Sequence, residues 1–319
     1  MEGFDNHRDM KILIAGGTGL IGKQLIRLLI SDGHTVVLLS RSADRLPQLK
    51  GITAVTWDGK TTGGWSELME EVEAVVNLAG ENIGRFPWTE KRKKKFRESR
   101  VAAGNALSKA IEESKVRPSV FIQASAVGFY GPRGEEEVDE SASSGGDFSS
   151  KLCVDWEDSS KGIEELDIRR VIVRTGIVLD KKGGILQKMA LPVKFFVGGR
   201  LGSGRQGIPW IHIDDEINAI NFLIKNDSAR GVFNLSAPLP VSNAEFMKRI
   251  ATVLRRPYWF HVPKFAIKLF LGEMSTLLLN GQFMVPRKLL NLGFNFKFVT
   301  LEQALDNLLN PHSRQGLSQ

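Results

Sequence analysis

The chain is poor in the residues that build covalent and metal frameworks: one cysteine, two tyrosines and five histidines in 319 residues. A single thiol, Cys153, excludes an internal disulfide and any cysteine-based metal cluster, fits a reducing compartment and reads as a packing residue. The histidines are scattered without metal-ligand spacing, so no metal site is expected. No apolar run approaches the ~18 residues of a membrane helix. The start, residues 1–10, is polar and charged, so no membrane partner is expected and the cytoplasm is the default location. With 42% hydrophobic and 25% charged residues the chain has globular rather than disordered composition.

Acidic charge falls short of basic, 36 against 43, for a formal net charge of +7. The excess concentrates in residues 91–100, where seven basic residues accompany one acidic one. A solvated helix face is the plainest reading, and a place near an anionic cofactor the next. No aromatic stacking platform accompanies the run, so no nucleic-acid partner is expected.

Short apolar runs rich in β-branched residues, at 12–15, 36–39, 54–57, 74–78, 120–124 and 171–173, read as buried parallel strands. Helical spacing lies between them: Ile21, Leu25, Leu28 and Leu29, then a long charged stretch over 89–114 suited to a surface helix. This alternation predicts an α/β fold, a Rossmann-type doubly wound parallel sheet. After Leu179 glycine pairs break the rhythm, and beyond Pro238 the chain reads mainly as helices: 243–254 behind Ser242, 264–279, and 301–309 behind Thr300. The expected division is a dinucleotide-binding domain over 10–180, with 208–237 returning to it, and a smaller, mostly helical lobe from 181–207 and 238–310. The tail, 311–319, is expected to fray.

Gly16-Gly17-Thr18-Gly19-Leu20-Ile21-Gly22 follows the first strand and opens the first helix. In that context Gly16 permits the tight turn, Gly19 lets the backbone approach a pyrophosphate, and Gly22 allows close packing of helix on strand. The helix N-terminus faces the phosphate charge. The second strand ends in Ser40 and Arg41, where an NAD site would offer an acid to the ribose hydroxyls. A guanidinium there suits the 2′-phosphate of NADP, and Ser40 can add a hydrogen bond. The expected cofactor is therefore NADP(H); Asp44 and Asp58 are poorer partners for a ribose. Asn77-Leu78-Ala79-Gly80 offers small residues at a strand end, with Leu78, Ala79 and Gly80 as a cofactor floor.

These motifs, with Tyr130-Gly131, Arg174 and Trp210-Ile211-His212-Ile213-Asp214-Asp215, resemble the extended short-chain dehydrogenase/reductase family over nearly the whole chain. Gly80-Glu81-Asn82-Ile83, Ser99-Arg100, Asp155-Trp156-Glu157 and Gly293-Phe294-Asn295-Phe296 narrow it to the atypical epimerase-family subgroup that includes family 39U. Its bacterial members carry labels such as nucleoside-diphosphate-sugar epimerase and cell-division inhibitor. The resemblance implies an NADP-binding lobe, a small carboxyl-terminal domain and a place for Arg100 near the cofactor. From the residues alone Arg100 reads as one more solvated cation.

Catalytic residues do not carry over. Family enzymes pair a tyrosine with a lysine four positions later and usually a glutamate four beyond that, plus a serine at the end of the fifth strand. Counting back from Glu157 puts Cys153 at the lysine position and Ser149 at the tyrosine position, while Tyr130-Gly131 puts Ala126 at the serine position. Ser125 remains a candidate for a substrate carbonyl or a structural serine. Tyr130 remains a surrogate acid or a packed aromatic. His212 reads as a satisfied structural histidine, and the loop 198–207, with Arg200 and Arg205, as a solvated loop or a grip for an anionic substrate. Two functions stay open: an NADP-dependent oxidoreductase or epimerase acting on a small molecule, and a cofactor-binding sensor or scaffold linked to cell division. The sequence leaves room for an oligomer.

Overall fold

The computed structural model describes residues 9–46, 48–84 and 87–310, so the expected frayed tail and most of the polar start lie outside the described residues. Seven parallel strands form the central sheet: β1 (Lys11–Ala15), β2 (Thr35–Ser40), β3 (Ile52–Thr56), β4 (Ala74–Asn77), β5 (Val120–Ala126), β6 (Arg169–Thr175) and β7 (Gly231–Leu235). Their spatial order is β7-β6-β5-β4-β1-β2-β3. The order reverses between β1 and β4, which opens a crevice at the carboxyl ends of those strands.

Strand alternation divides the core in two. Ile12, Ile14, Val36, Leu38 and Val76 face α1 (Leu20–Ser31) and the helix Ile213–Lys225. Leu13, Ala15, Val37, Leu39 and Val75 face α2 (Glu90–Glu113). Leu25, Ile26 and Leu29 bury one stripe of α1, each contributing about 1.5–3 kcal/mol. Thr89 caps α2 by accepting from Arg92 N–H, and its buried stripe runs from Phe96 and Arg100 through Ala103, Ala106, Leu107, Ala110 and Ile111. The basic run occupies the first half, which is mostly exposed apart from Phe96 and Arg100.

A second core gathers Leu179, Leu186, Val193, Trp210, Phe246, Ile250 and Leu305 beside the sheet. Here the expectation of plain helices needs three corrections. The helix expected over 264–279 stops at Leu271, because Gly272 takes φ +54° and reverses the chain before the short turn Thr276–Leu279. Tyr258–Val262 is a strand paired with Gly198–Leu201, inside what read as a loop. The helix Gly184–Lys194 lay hidden behind Gly183-Gly184 and an internal Pro192. In the sheet, β3 starts two residues before the expected run, since as an edge strand it exposes Thr53, Ala54 and Thr56. Strand β7 escaped notice because Asn234 interrupts its apolar run.

Candidate functional site

At the carboxyl end of β1 the backbone is tightly packed on one side and exposed on the other. Gly16 sits at φ +81°, and a Cβ there would lie 2.5 Å from Leu78 O. A Cβ on Gly17 would meet Leu38 Cδ1 at 2.5 Å, and one on Gly22 would meet Gly17 Cα at 2.5 Å. Gly19 is less crowded: a Cβ there would meet Gly16 O at 3.3 Å, still a tight contact. Thr18 and Gly19 are exposed at the tip, with Leu20 and Ile21 half-buried behind them. Gly19 is the extended N-cap of α1 and has no side chain to cap the helix, so the first N–H groups of α1 face outward. A glycine cradle with space at its tip fits a pyrophosphate.

Ser40 at the end of β2 is buried, its Oγ accepting from Ser42 N–H at 3.3 Å, which leaves its own proton to donate. Arg41 is exposed and forms no ion pair among the described residues. Asp44 accepts instead from Thr56 Oγ1 at 3.5 Å, and Asp58 caps its own turn by accepting from the N–H groups of Lys60 and Thr61. At the end of β4, Asn77 donates to Gln123 Oε1 and accepts from Ala79 N–H. That fixes the Leu78-Ala79-Gly80 segment beside Gly16. Arg100 is buried rather than solvated: its guanidinium would meet a Cβ on Gly80 at 3.1 Å. It donates to Glu81 O and Phe96 O and lies 4.7 Å over the Trp156 ring. Burial pushes its pKa down.

The end of β5 is filled. Ser125 Oγ donates to Glu157 Oε1 at 2.6 Å, and Glu157 takes a bidentate pair from Arg174, with both N···O distances 2.9 Å. Arg174 donates on to Tyr130 Oη at 3.2 Å, and Tyr130 donates to Asn234 Oδ1 at 2.6 Å. Asn234 closes the chain on Val285 O. The Arg174 guanidinium lies 3.2 Å from the Phe129 ring centre. Every member is buried. Ser125 and Tyr130, each left open between a catalytic and a structural role, are both engaged within this network, Ser125 with its proton on Glu157. Tyr130 is fully buried, with its phenol engaged at both ends and its pKa raised by burial.

Cys153, on the helix Phe148–Asp158, donates weakly to Ala126 O at 3.7 Å, and burial pushes its thiol up to about 11. A neutral thiol cannot lower the pKa of a neighbour as a lysine would. Lys151 is exposed and Ser149 half-buried on the same helix. His212 caps Ile213–Lys225 by accepting from Asp214 N–H, stacks on Phe298 at 3.8 Å and contacts Asn307 Oδ1 at 3.2 Å, with burial lowering its pKa. It anchors structure. Arg205 of the glycine loop pairs with Glu135 at 3.3 Å, and Arg200 is exposed.

One buried acid escaped the sequence reading. Glu216 is wholly enclosed; its Oε1 accepts from Thr175 Oγ1 at 2.8 Å, while Oε2 has no protein partner. Burial pushes its pKa up to about 8. A signal existed, since Glu216 shares a helical face with Ala219, Ile220 and Leu223. Among the described residues no group of His, Cys, Asp and Glu is placed to hold a metal.

The profile of the NAD dependent epimerase/dehydratase family matches residues 12–178, and that of a domain of unknown function, DUF1731, matches 262–308. The epimerase family protein YfhF of Bacillus subtilis (strain 168) is 40% identical over 302 residues, covering 94% of this chain and 98% of its own. The crystal structure of human epimerase family protein SDR39U1 (isoform2) with NADPH is similar at TM-score 0.82 and 33% identity, covering 94% of this chain and 99% of that one. The nucleoside-diphosphate sugar epimerase from Corynebacterium glutamicum is similar at TM-score 0.78 and 30% identity, over 95% of this chain and 59% of its own.

Proposed function

The chain belongs to the NAD dependent epimerase/dehydratase family, and from that premise we propose that it binds NADP(H) and acts on a small molecule without the family's tyrosine and lysine. The observation that carries this reading is the cradle: an exposed tip at Thr18 and Gly19, backbone packed on backbone at Gly16, and an exposed Arg41 where an acid would favour NAD. The NADPH in the human SDR39U1 structure supports the same choice. Gly16, Thr18, Gly19, Leu20, Ile21 and Gly22 would hold the pyrophosphate. Ser40 and Arg41 would hold the 2′-phosphate, and Leu78, Ala79 and Gly80 would form the floor, with Arg100 behind it. When bound, the nicotinamide supplies or accepts a hydride. Residues 10–180 with 208–237 form the cofactor lobe in this reading, and 181–207 with 238–310 the substrate lobe. The protein is assigned to the cytoplasm, where a lone buried thiol stays reduced.

A second reading rests on the buried Ser125–Glu157–Arg174–Tyr130 network: a cofactor-binding sensor or scaffold, in cell division or elsewhere, that carries out no hydride chemistry. A titration with NADPH and NADH, followed by nicotinamide fluorescence and then a metabolite panel, separates the two. Preferential NADPH binding with turnover supports the enzyme. NADPH binding with no turnover selects the sensor, and binding of neither cofactor overturns both.

A further inference from the structure

The second core carries an apolar surface that the described chain leaves uncovered. Phe195, 71% exposed, and Phe196 end the helix Gly184–Lys194. Trp259, 68% exposed, stands on the strand Tyr258–Val262, which pairs with the strand that follows them. One residue later begins the helix Lys264–Leu271, which buries Ile267 and leaves Phe265, Leu269 and Phe270 at 73%, 77% and 74% exposure. The turn and the strand are joined: Trp259 Nε1 donates to Phe196 O at 2.9 Å, and the Arg256 guanidinium lies 4.6 Å over the Phe196 ring. Phe196 holds φ +65°, a left-handed conformation that strains a bulky residue. Glycine or asparagine would make that turn at less cost, so a phenylalanine there points to a contact made by its ring.

Charge selects the occupant. Residues 181–213 contain six Lys or Arg and no Asp or Glu, and residues 246–272 again six and none. Arg205 and Arg249 are neutralised by Glu135 and Glu302. Lys194, Arg256, Lys264 and Lys268 form no ion pair among the described residues. A second copy of this chain would bring like charges together on this face, and a nucleic acid would leave the phenylalanines in water. An anionic lipid surface meets both requirements, with rings entering the headgroup boundary and cations lying among phosphates. We propose that the molecule docks peripherally on a bilayer bearing anionic headgroups, through Phe195, Phe196, Trp259 and the helix Lys264–Leu271. No helix of the described residues is long and apolar enough to cross a membrane, so the attachment is to one face. It departs from the absence of a membrane partner expected from sequence.

The test sediments the full chain with vesicles of phosphatidylcholine alone or mixed with phosphatidylglycerol, at low and high salt. The bound fraction is expected to be at least ~10-fold higher on the anionic vesicles and to fall as salt shortens the Debye length. The double variants Phe265→Ser with Phe270→Ser, and Lys264→Glu with Lys268→Glu, are each expected to lose most of that binding. Both pairs are exposed, so circular dichroism and NADPH titration should match the wild type. Failure to bind anionic vesicles, or unchanged binding by both variants, overturns the proposal. So does a wild-type dimer in light scattering that Phe265→Ser with Phe270→Ser converts to a monomer, which would make a second copy the occupant.

Discussion

The carboxyl ends of β1 and β5 lie along one edge of one sheet and are finished in opposite ways. At β1 the chain uses glycines, so that backbone packs on backbone and the tip at Thr18 and Gly19 stays open. At β5 it uses large polar side chains, and a buried ion pair with its hydrogen-bonded neighbours fills the space. Holding a dinucleotide depends on backbone room and a few donors, whereas moving a proton depends on which side chain stands at one or two positions. The first device can persist while the second is replaced, and this molecule keeps them side by side.

The largest effect should come from closing the open end. Gly19→Val places a branched side chain where the pyrophosphate would lie and is expected to abolish binding of NADPH and NADH alike. Gly19 is exposed and has an extended backbone, so the fold should survive once Gly16 O, 3.3 Å from a Cβ there, gives by a few tenths of an ångström, and thermal unfolding is the control. Opening the filled end should do the reverse. Arg174→Met leaves Glu157 charged, buried and unpaired, at a cost of about 3–5 kcal/mol in urea unfolding. NADPH affinity measured under folding conditions should hardly move, and a parallel loss of cofactor would mean that the two ends are one unit. Arg41→Ala should weaken NADPH by roughly 1.5–3 kcal/mol and leave NADH nearly unchanged. Equal losses would remove the 2′-phosphate assignment.

The smallest effect at acid pH, and a growing one above it, belongs to Glu216, which hangs from Thr175 at the neighbouring end of β6. Its folded pKa of about 8 lies above the ordinary 4.5, so the folded chain holds a proton that the unfolded chain releases. The stability it contributes is complete below pH 4.5 and is lost as pH rises through about 8. Glu216→Gln should flatten that part of the pH–stability curve, as measured by denaturant titrations across the range.

The cradle was legible because its chemistry is local: seven consecutive residues between a strand and a helix specify it. Strands β1, β2 and β4 were legible for the same reason, being short, apolar and β-branched. The network at β5 was not, because Ser125, Tyr130, Glu157, Arg174 and Asn234 come from distant parts of the chain, and only the sheet's register brings them together. Counting along the family pattern did show that the tyrosine and lysine were absent. It could not show that an arginine–glutamate pair occupied the space. Arg100 illustrates the same limit: six other basic residues accompany it in sequence, and, apart from the family resemblance, only the contact with Gly80 and Trp156 distinguishes it. The break at Gly272 hid in an otherwise regular apolar pattern, where one glycine at positive φ ends the eight-residue helix Lys264–Leu271.

The second core draws on residues near 179–193, 208–210, 237–251 and 298–308, and Asp215 holds its last segment by accepting from the N–H groups of Lys297 and Phe298. During synthesis, six strands of the sheet are available once Thr175 has emerged, but the helix Gly184–Lys194 must wait until the helix Asn243–Val253 has emerged before its apolar face is covered. For that interval Leu186, Met189, Ala190 and Val193 are open to water and to other chains, so this stretch is where a nascent chain most needs protection.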